Sequence, residues 1–256
     1  MKIGAFNVLA VVVLLFAGTP TPGVGARAEE TSDPERYAAC LEEASVNPKQ
    51  AFETATAWAG LGGREPAEHC AAIALLNLGQ YAVAADRLES LAVSGPGGLE
   101  LQVSLLGQAA QAWLLAGRPN RSEATLSEAL KAGGPEPGLL IDRAQARAAM
   151  DLYDLAIEDL DLAIDLAPLR ADAFVFRASA HRLSGNNTKA WEDVERALKL
   201  DIVHPEGLLE RGILKRLDGD DAGARADWTK VRETAPDSEA AVIAGRNLER
   251  LELGEP

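Results

Sequence analysis

Aromatic side chains make up only 5% of the 256 residues, and the chain holds just two cysteines and three histidines. A core built on large rings is thereby excluded. With 47% hydrophobic residues, the interior has to come mainly from alanine and leucine, which suits closely packed helices. The histidines, His69, His181 and His204, are accompanied by no HExxH, CxxC, GxSxG or phosphate-loop signature. No metal, redox, acyl-transfer or nucleotide centre is therefore expected, and with it no cofactor and no enzymatic activity. Positive charge is also short: 25 Lys and Arg stand against 39 Asp and Glu, a net charge of −14. Such a surface repels phosphate backbones and anionic lipid headgroups, which argues against nucleic acid as a partner. Glycine (23) and proline (13) are too few for a collagen-like or disordered chain and fall mostly between apolar segments, as helix stops.

Long apolar runs are missing after the first seventeen residues, so no later segment is expected to insert in a membrane. Residues 1–28 read as a cleaved secretory signal peptide. Lys2 begins it, residues 3–17 are almost wholly apolar, Pro20 and Pro22 follow, and Ala26-Arg27-Ala28 fits a small-x-small cleavage site. The run falls short of the roughly 20 residues that span a bilayer. No cysteine lies near the cleavage site to carry a lipid. The expected mature chain begins at Glu29, carries a net charge of −16 once Lys2 and Arg27 are lost, and is periplasmic or secreted. In that compartment Cys40 and Cys70 are expected to form one disulfide, worth about 3.7 kcal/mol on the chain-entropy estimate.

What is abundant is self-similarity at a period of 34. Ala144, Ala156 and Ala163 recur as Ala178, Ala190 and Ala197, then as Gly212, Ala224 and Val231, with Ala110, Ser122 and Ala129 before them. Ala72, Ala84 and Leu91 follow the same pattern after an offset of four residues near Gly97. Two short antiparallel helices approach closely only where side chains are small, so alanine or glycine recurs at each crossing. Gly79, Gly117, Gly185 and Gly219 mark the turn inside each pair, with Asp151 in the remaining unit; Pro96, Pro168 and Pro236 close second helices.

Ala72-Gly79-Tyr81-Ala84-Pro96 and Ala144-Tyr153-Ala156-Ala163-Pro168 resemble the tetratricopeptide repeat (TPR) pattern, in an exported protein of bacterial type. The resemblance implies an all-α fold, an α-α superhelix of antiparallel helix pairs. Its units are a degenerate pair at 34–64, repeats at 65–98, 103–136, 137–170, 171–204 and 205–238, and a capping helix at 239–253. A second 34-residue spacing relates Arg143 and Asp159, Arg177 and Asp193, and Arg211 and Asp227. Each arginine is expected to bridge to the aspartate sixteen residues later on its partner helix.

The resemblance further implies a concave wall of first helices that binds a peptide or partner protein. Its stripe is expected to include Asp142 and Gln145; Asp172, Val175, Phe176, Ser179 and Arg182; and Glu206, Leu209, Glu210, Ile213 and Arg216, with Phe176 as an apolar anchor. Lys and Asn that clamp a terminal carboxylate in some relatives are replaced by Ile141, Val175, Leu209, Gln145, Ser179 and Ile213, so that mode is not expected. Arg182 and Arg216 remain as groups that could meet an acidic ligand. A self-assembling spacer and an accessory subunit of an envelope hydrolase are the competing readings.

Overall fold

A computed structural model describes residues 33–95 and 97–254, so the leader at 1–28 and Pro96 lie outside the described residues. The described chain is helical throughout, with no strand in it. The first pair is α1 (Asp33–Val46) and α2 (Pro48–Trp58), divided at Asn47, whose side chain accepts from Gln50 N and so caps α2. A π-helical turn, Ala59–Gly63, leads into α3 (Arg64–Asn77). Four further first helices follow: α5 (Leu99–Leu115), α7 (Pro137–Ala148), α9 (Ala171–Leu183) and α11 (Pro205–Leu217). The partners of these five first helices, α3 included, are α4 (Tyr81–Ser94), α6 (Pro119–Gly133), α8 (Tyr153–Leu166), α10 (Asn187–Leu200) and α12 (Asp221–Thr234), and α13 (Glu239–Glu252) follows them.

Each helix packs on its sequence neighbours, and each first helix from α5 onward also touches the next first helix, which is the connectivity of a stacked solenoid. The offset of four residues near Gly97 lengthens one helix: α5 begins at Leu99, not at 103, and runs for 17 residues. Crossing points are made by side chains with almost no exposure, among them Ala72, Ala84, Ala110, Ala144, Ala156, Ala178, Ala190 and Ala224. At one crossing the packing is inverted. Trp228 stands where the two preceding repeats have Val194 and Leu160, and it fills the space opposite Gly212, where a Cβ would lie 2.3 Å from the indole nitrogen. The indole donates to the Leu209 carbonyl at 3.2 Å, so neither its ring nor its polar edge is left without a partner.

The turn inside each pair has one geometry. Gly79, Gly117, Gly185 and Gly219 have φ between 69° and 87°, and Asp151 takes φ 61° at the equivalent place. The next residue closes a six-to-one hydrogen bond back to the helix, as in Asn186 N to His181 O at 2.7 Å and Leu152 N to Arg147 O at 2.9 Å. Asp151 adopts the left-handed conformation despite its side chain, and its carboxylate accepts from the Tyr153 hydroxyl at 2.6 Å. Cys40 on α1 and Cys70 on α3 form a disulfide, with Cα atoms 6.2 Å apart, so the first pair is covalently tied to the next unit.

Candidate functional site

The ion pairs organise the second-helix side of the array. Arg143, Arg177 and Arg211 each hold the aspartate sixteen residues on, through Nε to Oδ2 at 2.9, 2.8 and 2.8 Å and Nη2 to Oδ1 at 2.7, 2.7 and 2.6 Å. Asp159, Asp193 and Asp227 are buried, and a buried carboxylate is tolerable only when paired in this way. The pairing raises the arginine pKa values and holds Asp227 below the ordinary carboxylate range against the opposing effect of its burial. Two of the arginines also reach back to the preceding second helix: Arg143 Nη1 to Ser127 Oγ at 3.1 Å and Arg177 Nη1 to Asp161 Oδ1 at 2.6 Å.

One turn beyond each arginine lies a second basic side chain that the sequence analysis passed over. Arg147 Nη1 donates to Asp159 Oδ2 at 2.8 Å, and Lys215 Nζ lies 2.8 Å from Asp227 Oδ2. The middle repeat has His181 at this place, with Nε2 4.0 Å from Asp193 Oδ2. The 34-residue spacing of Arg147, His181 and Lys215 was available in the sequence, but the three residue types do not look alike.

On the first-helix side, polar groups join one repeat to the next. The Tyr37 hydroxyl donates to His69 Nδ1 at 2.7 Å, and His69 Nε2 donates to Gln108 Oε1 at 2.8 Å, which links α1, α3 and α5. Burial holds the His69 ring below its ordinary pKa, so the neutral form fits this network at neutral pH. Gln111 Nε2 donates to Asp142 Oδ2 at 3.0 Å, from α5 to α7. Ser179 Oγ and Arg182 donate to Glu210, from α9 to α11, at 2.5–3.1 Å. Gln108, Asp142, Phe176 and Glu210 occupy one register position, and Gln111, Gln145, Ser179 and Ile213 another. Gln111 with Asp142 and Ser179 with Glu210 are thus alternate rungs of one ladder. The rung between them would join Gln145 to Phe176, whose ring offers no such acceptor.

This ladder corrects the groove expected from sequence. Val175, Ser179, Leu209 and Glu210 are buried and do not line an open wall. Arg182 is committed to Glu210, and Arg216 pairs with Asp221 on the following helix, so neither stands ready for an acidic ligand. Ile213 packs against the core cluster of α10 to α13, and Phe176 against that of α7 to α9. Asp142, Gln145, Asp172, Phe176 and Glu206 keep partial exposure. Asp142 has the most altered chemistry of these: burial, reinforced by Glu136 and Asp172, lifts its pKa to about 6 against the opposing effects of Gln111 and Arg170. Arg170 is itself engaged with Asp172, at 2.6 Å.

Against solved structures, a TPR protein from Parabacteroides merdae superposes over 87% of this chain and 87% of its own, with TM-score 0.68 and 16% identity. The fold is a TPR solenoid. A thermophilic TPR protein from Thermus thermophilus matches 71% of this chain and 97% of its own at TM-score 0.59 and 21% identity. Among curated proteins, tetratricopeptide repeat protein 36 of Bos taurus is 41% identical over 93 residues, 34% of this chain and 50% of that protein. The human protein of that name is 40% identical over 80 residues, 30% of this chain and 42% of its own. The chain spans about half the length of the curated relatives it matches. No family model matches it. Among the described residues, no three His, Cys, Asp or Glu side chains are grouped as a metal site, and no helix is long and apolar enough to cross a membrane.

Proposed function

We propose that this TPR solenoid is a non-enzymatic interaction scaffold of the bacterial cell envelope, docking a peptide or partner protein on its first-helix wall at α7 and α9. The observation that carries this reading is the missing rung. Gln145 is half-buried, makes no side-chain hydrogen bond among the described residues, and lies in register with Phe176 between two satisfied rungs. A partially exposed amide beside an aromatic ring offers an extended peptide backbone one polar contact and one apolar contact, with Asp142, Asp172 and Glu206 in the same stripe. Export is supported by the signal-like character of residues 1–28, and an oxidising compartment by the Cys40–Cys70 disulfide.

The test is a photo-crosslinker placed at Gln145 and, as a control, at Glu128 on α6. A discrete product from position 145 that Phe176→Ala weakens at least tenfold is expected in the envelope fraction. Equal products from both positions, or a product insensitive to Phe176, would remove the reading. Export is checked separately by N-terminal sequencing of the mature protein, expected to begin at Glu29.

A further inference from the structure

A solvent-open cleft of about 190 Å³ lies between α8, α9 and α10, and Ile157, Asp161, Arg177, His181, Lys189, Glu192 and Asp193 line it. Its place in the repeat explains why it exists. In the repeat before, Arg147 occupies the equivalent space and donates to Asp159 Oδ2 at 2.8 Å and to the Leu155 carbonyl at 3.2 Å. In the repeat after, Lys215 puts its ammonium 2.8 Å from Asp227 Oδ2. In this repeat the side chain is a shorter histidine, 4.0 Å from Asp193 Oδ2. Asp193 keeps both hydrogen bonds from Arg177 but lacks the second cation that its two counterparts hold.

His181 is 7% exposed, and neither ring nitrogen makes a hydrogen bond among the described residues. The ring is largely covered, but its nitrogens are not sealed from water, so a visiting group there takes the place of solvent. Burial also pushes its pKa down, so it is neutral at neutral pH and one ring nitrogen is an acceptor. Arg177 commits one N–H from each of its three nitrogens to Asp193 and Asp161, and against the two cations of the lining, Arg177 and Lys189, stand three carboxylates, Asp161, Glu192 and Asp193, so the lining carries net negative charge. Ile157 stands where the repeat before has Glu123, so one wall of the space is apolar.

From this geometry we infer that the cleft is a receptor for an aliphatic-stemmed cation, the ammonium or guanidinium of a lysine or arginine side chain on a partner protein, which takes the place filled internally by Arg147 and Lys215. The cationic head meets Asp193 Oδ2, the neutral His181 nitrogen and the carbonyl of Lys189, which corresponds to that of Leu155. The stem lies along Ile157. The site is on the second-helix side of the array and is independent of the wall proposed above.

The test is an NMR titration of the isotope-labelled protein with n-butylammonium, with ethylguanidinium and with an acetylated Gly-Arg-Gly amide. The expected result is saturable shifts confined to residues 157–161, 177–181 and 189–193. His181→Lys, which supplies the internal cation, is expected to weaken binding at least tenfold, read from the amides of Lys189 and Asp193. Binding of the peptide at least tenfold tighter than the free cations assigns the site to a protein side chain, whereas equal affinities assign it to a free amine and overturn that part of the inference. Shifts that never saturate, or that spread over the acidic surface, overturn the whole. The wild-type titration decides this even if His181→Lys fails to fold.

Discussion

Asp193 is buried, and Arg177 grips both of its oxygens. Removing one partner strands the other, at a cost of about 3–5 kcal/mol. Arg177→Leu is therefore expected to lower unfolding free energy by that amount, whereas Arg177→Leu with Asp193→Leu loses clearly less. Denaturant titration of the three proteins reads the difference, and a double variant as unstable as the single would show that the charges themselves hold the pair of helices. Gly212 makes a second residue-scale prediction. A methyl group there meets the Trp228 indole, an overpacking that costs roughly 1–3 kcal/mol. Adding Trp228→Val, which restores the Ala and Val combination of Ala178 and Val194, should recover most of the loss.

Asp142 gives a third, through pH. Its folded pKa, about 6, lies above the ordinary value of 3.8, so the folded chain binds this proton more tightly than the unfolded one. Ionised at neutral pH, the group opposes folding; as pH falls through 6 towards 4, that penalty disappears. Asp142→Asn should accordingly be more stable than the parent at pH 7.5, and the gap should close between pH 6.5 and 4.5. A gap independent of pH would place the carboxyl in open solvent.

At the scale of an element, the turns and the first pair carry the predictions. Four turns use glycine in the left-handed region and one uses Asp151. Gly185→Ala is expected to cost about 1 kcal/mol, the strain of a Cβ at positive φ, and Asp151→Gly to lose little or gain, because glycine relieves that strain. Thermal unfolding of both variants checks the contrast. Among the described residues α1 and α2 are the first pair of the array and pack against α3, and the Cys40–Cys70 bridge ties α1 to α3. Reduction is expected to lower stability by about 3.7 kcal/mol on the loop-entropy estimate, with amide exchange in 33–58 accelerating before that in α5 to α12.

Over the whole molecule, the architecture was legible because close approach of helices demands small residues, and Ala144, Ala178 and Gly212 record that demand every 34 positions. The wall residues were not legible to the same degree. Whether Val175 or Glu210 faces solvent depends on how far one first helix overlaps the next, and the Ser179–Glu210 rung that settles it joins residues 31 apart, a distance no single repeat displays. The row of Arg147, His181 and Lys215 was in plain view, but its meaning lies in the differing lengths of three side chains around equivalent aspartates.

The backward reach of the arginines bears on how the rod yields. Arg143 and Arg177 clasp the second helix before their own, but Arg211 makes no hydrogen bond to Glu195 at the corresponding place, and the packing between α10 and α11 is the thinnest of any two consecutive α-helices among the described residues. That joint therefore leans on the opposite side of the array, where Ser179 and Arg182 hold Glu210, so Glu210→Gln should free α11 to α13 to swing as a block while the units ahead of them stay stacked.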